Sequence, residues 1–161
     1  MNRFLILLLL SGCSKVVFEH RCKDIDTLKV FEDSAVINLR DRCFYVEIGE
    51  GKSLKDISVD LGKVVNYGNV EGIELGVGEI KNYGYIQRIN LGIGDFDNLG
   101  KADSVGIGIG KTVNRGVMEK VSIGIGEVEN YGKILKEVEV GVGRIKDNGE
   151  ISGKRKVGLG L

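Results

Sequence analysis

The clearest alternation of apolar and polar positions lies in the second half of the chain. Along Val121-Ser122-Ile123-Gly124-Ile125, branched aliphatics alternate with small residues, a period of two that predicts a β-strand. Nothing there repeats at 3.6, and glycine at this density would destabilise helices. The alternation then returns at a fixed interval. From Lys63 onward the chain divides into six units of 16 or 17 residues: KVVNYGNVEGIELGVG, EIKNYGYIQRINLGIG, DFDNLGKADSVGIGIG, KTVNRGVMEKVSIGIG, EVENYGKILKEVEVGVG and RIKDNGEISGKRKVGLG. Such a period dictates architecture before any local assignment does. Each unit opens near an apolar residue (Val64, Ile80, Phe96, Val128, Ile145, with Thr112 the exception). It then passes through Asn-x-Gly to a second apolar residue such as Ile86, and ends in a segment like Ile89-x-Leu91-Gly-Ile93-Gly.

Short strands broken by glycine corners at constant spacing predict an all-β fold, a single-stranded β-solenoid (β-helix) with turns of about 16 residues. Equivalent positions then stack about 4.8 Å apart in parallel ladders. The apolar columns line the interior, with Ile107 and Ile109, and Ile123 and Ile125, pointing inward. Gly68, Gly84, Gly100, Gly116, Gly132 and Gly149 follow Asn-x and fit a corner at positive φ. Asn66, Asn82, Asn98, Asn114 and Asn130, followed by Asp147, form a column suited to a hydrogen-bonded amide ladder. The alternative is an antiparallel β-hairpin meander with Asn-Tyr-Gly as its tight turn. Along Leu91-Gly-Ile93-Gly-Asp95-Phe96 the apolar parity breaks after the second glycine, which favours a corner over a continuous strand.

The chain therefore reads as residues 1–12, a signal segment; 13–60, a β-rich cap or irregular early turns; and 61–161, a six-repeat solenoid. KVVFEH, LKVF, AVINL, CFYVEIGEG and ISVDLG supply short strands in the middle portion. The last unit departs from the pattern, with Lys154-Arg155-Lys156 where other units carry an apolar residue such as Val121. Lysine and arginine on a terminal strand discourage edge-to-edge growth.

Arg3 followed by the apolar run Phe4–Leu10 has the form of a secretory signal, too short to span a bilayer. Leu10-Ser11-Gly12-Cys13 then resembles the lipobox of bacterial lipoproteins. That resemblance implies lipidation of Cys13, cleavage just before it, and lasting membrane attachment through two or three acyl chains. Ser14 in place of aspartate implies the outer membrane rather than the inner. Three cysteines leave an odd one in an exported chain. Lipidation of Cys13 leaves Cys22 and Cys43, either as a disulfide in an oxidising envelope or as two buried thiols.

The phrases Gly76-Val-Gly-Glu-Ile80, Gly92-Ile-Gly-Asp-Phe96 and Gly124-Ile-Gly-Glu-Val128 resemble the repeats of bacterial adhesin-type, or toast-rack, envelope domains. The resemblance covers about residues 46–161 and implies a single-chain β-helical fold on a membrane-tethered protein. The period here is shorter than in that family, and Asn-Tyr-Gly is not its hallmark. The chain is also similar, with less local support, to polymer-forming bactofilin-like β-helices. Neither family offers a catalytic motif to carry over.

Composition narrows the partners. Lys plus Arg and Asp plus Glu both number 23, so no net field points to nucleic acid. With 25 glycines, no proline and a 42% hydrophobic fraction, the chain is neither collagen nor a disordered linker. His20 is the only histidine, which leaves little basis for a histidine metal cluster or a relay. Asp95 and Asp97 suggest a calcium repeat, but Lys111 and Val113 occupy those positions in the next unit. No cofactor is expected and no metal or catalytic residue is assigned. Tyr67, Tyr83 and Tyr131 share a column with Leu99 and Arg115, either a structural stack or a glycan-binding surface.

If the aliphatics point inward, Gly76, Gly92, Gly108, Gly124 and Gly141 form an outer strip without side chains. Such a strip suits lateral association with a second copy or an envelope protein, and lysine at Gly108 and Gly124 would block it while leaving the fold intact. The expected role is a lipid-anchored, non-enzymatic structural or adhesive envelope module. A glycan- or protein-binding module is the alternative, and a polysaccharide-degrading β-helix enzyme is a distant third.

Overall fold

A computed structural model describes residues 25–30 and 36–160. The signal segment 1–12, Cys13, His20 and Cys22 lie outside the described residues. The strands are β1 (Ile25–Val30), β2 (Val36–Ile48), β3 (Ser53–Asn66), β4 (Asn69–Asn82), β5 (Tyr85–Asn98), β6 (Lys101–Asn114), β7 (Val117–Asn130), β8 (Lys133–Asp147), β9 (Glu150–Ile151) and β10 (Lys154–Gly160). Every pairing among them is parallel and joins neighbours in chain order, except that β8 pairs with both β9 and β10. The fold is a β-solenoid of about eight turns, about 16 residues apart. Antiparallel hairpins are excluded: two residues such as Tyr83-Gly84 carry each strand onto the next turn.

Fourteen-residue strands exceed the usual five or six. They do so because each bends around the rod. In the turn of β5 the inward parity breaks at Gln87-Arg88, at Gly92-Ile93 and at Leu99-Gly100, which leaves Ile86, Ile89, Leu91, Phe96 and Asn98 buried. Their equivalents stack in register, so Ile57, Ile73, Ile89, Val105, Val121 and Val138 make one continuous interior column. Phe96, the largest fully buried side chain, faces small neighbours in the next turn, where Ala102 and Thr112 take positions held elsewhere by larger aliphatics. The core is thus filled rung by rung, large against small.

Two details differ from the pattern-based reading. The positive-φ corner is not at the glycine after Asn-x. It falls on the second glycine of Gly-x-Gly, at Gly78, Gly94, Gly110, Gly126 and Gly143, and on the equivalent Gly62 of Asp60-Leu61-Gly62, with φ between 145° and 156°. A Cβ on Gly94 would also lie 1.7 Å from the carbonyl oxygen of Gly78 in the turn below. The Gly84 column is glycine for the second reason alone: a Cβ there would meet Gly68 O at 2.1 Å.

The other correction concerns Ile109 and Ile125. Ile107 and Ile123 are buried, but Ile109 is 44% and Ile125 49% exposed. Parity breaks between the two glycines, not after the second, so Leu61, Val77, Ile93, Ile109, Ile125, Val142 and Leu159 form an in-register column on the outside.

The earlier strands stack on the same sheet with a less even spacing. Val36 sits opposite Asp56, whereas Cys43 sits opposite Leu61, the difference being absorbed in a bulge between Leu39 and Cys43. The extra residue of the first 17-residue unit is absorbed at Leu135-Lys136 in β8, opposite Glu119, and the last unit keeps that longer spacing.

Candidate functional site

Asn-x-Gly places an asparagine at the end of each strand, where the chain turns inward onto the next rung. Asn66, Asn82, Asn98, Asn114 and Asn130 are fully buried. Each Nδ2 donates to the Oδ1 of the next turn at 2.8–2.9 Å, ending on Oδ1 of Asp147. The same Nδ2 atoms also donate to backbone carbonyls, as Asn98 does to Gly100 and Val117 at 3.2 Å. Asn66 and Asn82 accept in turn from the backbone N–H two residues on, closing an Asx turn.

The ladder has a direction, since every amide donates toward the C-terminal turns. Its last rung therefore needs an acceptor and has no later amide to feed. Asp147 meets that need: it has no N–H to leave unpaired, and its second oxygen accepts from Arg155 at 2.6 Å. Burial pulls the Asp147 carboxyl upward, but Asn130, the Gly149 N–H and Arg155 together hold it below its ordinary value. Arg155 occupies the column of Val138 and Val121. At the other end Asn66 faces Ile48, which has no donor, so the ladder begins there.

The outward charges neutralise one another along the rod. Lys63 pairs with Glu79 at 3.2 Å, and Lys111 with Glu129 at 2.9 Å. Arg144 and Lys146 both bond Glu127. Burial alone would raise the Glu127 carboxyl, yet those donors bring it down to about 2. Arg88 reaches Asp56 two turns away, at 3.5 Å, because Gly72 between them has no side chain. Asp97 bonds Arg115 at 2.5 Å, and Asp95 accepts from the Lys111 N–H. The Tyr85 hydroxyl donates to Asp103 at 2.5 Å, and that bond, with burial, pushes the phenol up to about 12. No group of three or more His, Cys, Asp or Glu among the described residues is placed to hold a metal.

The tyrosine column is stacked on itself. The Tyr67 and Tyr83 rings lie 4.9 Å apart and 8° from parallel, Lys81 lies over Tyr83, and Arg115 lies 5.9 Å from the Tyr131 ring. The ring faces that Tyr67 and Tyr83 turn to each other are taken by that stack.

The strip Gly76, Gly92, Gly108, Gly124 and Gly141 is exposed. An open groove of about 560 Å³ runs along its N-terminal part, over Gly76, Gly92 and Gly108, bordered by residues such as Asp60, Glu74, Asn90 and Ser122. A Cβ on Gly108 would meet Gly92 O at 2.6 Å, and one on Gly124 would meet Gly108 O at 2.7 Å. Glycine is therefore needed here for the close passage of consecutive turns, and lysine would disturb the fold rather than only its surface. Beside the strip stands the exposed aliphatic column from Leu61 to Leu159, which the repeat pattern had assigned to the interior.

Cys43 is buried and disulfide-bonded. Its expected partner, Cys22, and the expected lipidation site, Cys13, lie outside the described residues. No known protein-family model matches the chain, and no curated protein or solved structure matches it.

Proposed function

We propose that this chain is a non-enzymatic structural or adhesive module, held to the cell envelope by a lipid on Cys13, on the outer membrane rather than the inner. The observation that carries this reading is the uniformity of the rod. From Asn66 to Asp147 each turn contributes one side chain to the same ladder, and no turn gains more than the one residue absorbed in β8. A binding or catalytic cleft on a solenoid is built by turns that differ from their neighbours, through insertions or changed columns. Here the turns are alike, and their regularity supports length and surface instead.

The test is to produce the full chain in a bacterial host, fractionate the cells and weigh the N-terminal peptide. Diacylglyceryl-modified Cys13 in the outer-membrane fraction, with release of a Cys13→Ser variant, is the expected result. A Cys13→Ser variant that partitions like the unmodified chain would overturn the anchoring.

A further inference from the structure

We propose that the face bearing the glycine strip is the interface of a parallel two-fold dimer, the aliphatic rib of each copy lying in the glycine channel of the other. This deepens the structural reading above by naming the surface and its partner, a second copy of the chain. The rib runs in register through Val77, Ile93, Ile109, Ile125 and Val142. Its central members are nearly half exposed, and apart from the tyrosine column it is the main outward column that is apolar rather than charged or glycine among the described residues. A continuous apolar line of that kind marks an association surface.

The glycine strip lies one residue earlier in each turn from Gly76 to Gly158, with Asp60 at its N-terminal end, so rib and strip are adjacent and share the same rung spacing. A ridge running beside a furrow through the same rungs is its own complement. A two-fold axis parallel to the rod exchanges left and right on the facing surfaces and sets each ridge over the other copy's groove. A two-fold axis across the rod would instead set ridge on ridge. Charge selects no other occupant, because Lys63, Glu79, Glu127 and Arg144 beside the rib are already paired along the rod.

The area suffices, narrowly. Seven rungs from Leu61 to Leu159 span about 29 Å, and the residues from the groove wall to just past the rib span about 20 Å. That gives roughly 600 Å² per copy, about 1,200 Å² in all, at the lower end of specific interfaces. Dimerisation should therefore depend visibly on concentration.

Sedimentation velocity on the full chain in detergent over a wide concentration range reads the dimer. The pair Ile109→Glu with Ile125→Lys keeps the rib neutral and alters only outward side chains. It should weaken dimerisation at least tenfold, with an unchanged melting curve at concentrations where the unmodified chain is monomeric. Separate Ile93→Cys, Ile109→Cys and Ile125→Cys chains, treated with a short bis-maleimide, read the arrangement. In the parallel dimer each new thiol lies level with its mate, so all three crosslink above the background of the unmodified chain. Crosslinking at only one of them indicates an antiparallel pair and overturns the arrangement. A monomer at every concentration, or a dimer untouched by the rib substitutions, overturns the interface. A lipid-anchored monomer sinks this interface and leaves the envelope reading standing, whereas a dimer without lipid does the reverse.

Discussion

The direction of the asparagine ladder is tested at Asn98. Its amide donates to Asn114 Oδ1 at 2.9 Å and to the carbonyls of Gly100 and Val117 at 3.2 Å, while its oxygen accepts from Asn82 at 2.9 Å. Asn98→Ala removes four hydrogen bonds at a fully buried site; at about 1 kcal/mol net each, the loss is about 4 kcal/mol. Asn98→Asp keeps the shape but points an oxygen at three acceptors. At neutral pH the ionised side chain is a buried charge that keeps only the Asn82 donor and turns its other oxygen on three acceptors, so the cost should match or exceed that of alanine. The carboxyl pKa is then raised in the folded state. Its penalty is absent below the unfolded value near 4 and grows as pH rises from there. Urea titration followed by circular dichroism, with each variant compared with the unmodified chain at pH 7 and near pH 3.5, gives the answer. The aspartate variant should recover part of its loss at the lower pH, and the alanine variant should not. At the last rung, Asp147→Asn should cost no more than about 1 kcal/mol, because the contacts that lose charge assistance, from Arg155, the Gly149 N–H and Asn130, lie at the more exposed end of the ladder. Equal, pH-independent losses for both Asn98 variants would refute a directional ladder and leave asparagine as mere filling.

Thr112→Val should stabilise the rod by about 1 kcal/mol, read as a higher urea midpoint, because the Thr112 hydroxyl is buried without a hydrogen-bond partner. Glu127, held at about 2, contributes stability that is full above the unfolded value of 4.5 and is lost as pH falls toward 2. Glu127→Gln should therefore flatten the acid limb of the stability profile measured from pH 6 to 2. Gly94→Ala, with its Cβ against Gly78 O and φ of 147°, should cost several kcal/mol. Gly51→Ala, at φ 73° with nothing within 4 Å, should cost only about 1–2 kcal/mol, and thermal melts of the two separate crowding from backbone preference.

The solenoid was legible because a stacked turn must repeat the corner beneath it, and Asn-x-Gly and Gly-x-Gly carry that repetition openly. What the repetition conceals is direction. Counting forward from Leu91 puts Ile93 inside; counting back from Phe96 puts Gly94 inside and Ile93 outside. The positive φ of Gly94 lets the second count win, and that is a backbone property no apolar pattern carries. The same holds for Arg155, which reads from its column as a blunted terminal strand and in three dimensions meets Asp147. The early turns escaped the period for a simpler reason. Val36 and Asp56 are 20 residues apart and Cys43 and Leu61 are 18, so the 16-residue spacing vanishes before Ser53 although the pairing continues.

Once the interior columns and the glycine corners are set by stacking, only the outward columns remain open to selection for a partner. Those with charge are largely spent along the rod, as Lys63 with Glu79 and Glu127 with Arg144 illustrate. Tyr67 and Tyr83 stack on each other, and Tyr131 meets Arg115. The rib is different, because an outward Ile109 or Ile125 gains nothing from a corner that needs only its neighbouring glycines. Threonine or lysine would keep the strand and improve solubility there, yet the column is aliphatic at each of seven rungs. A stacked rod explains every other repeated position from within one copy. It explains this one only if a second surface covers it.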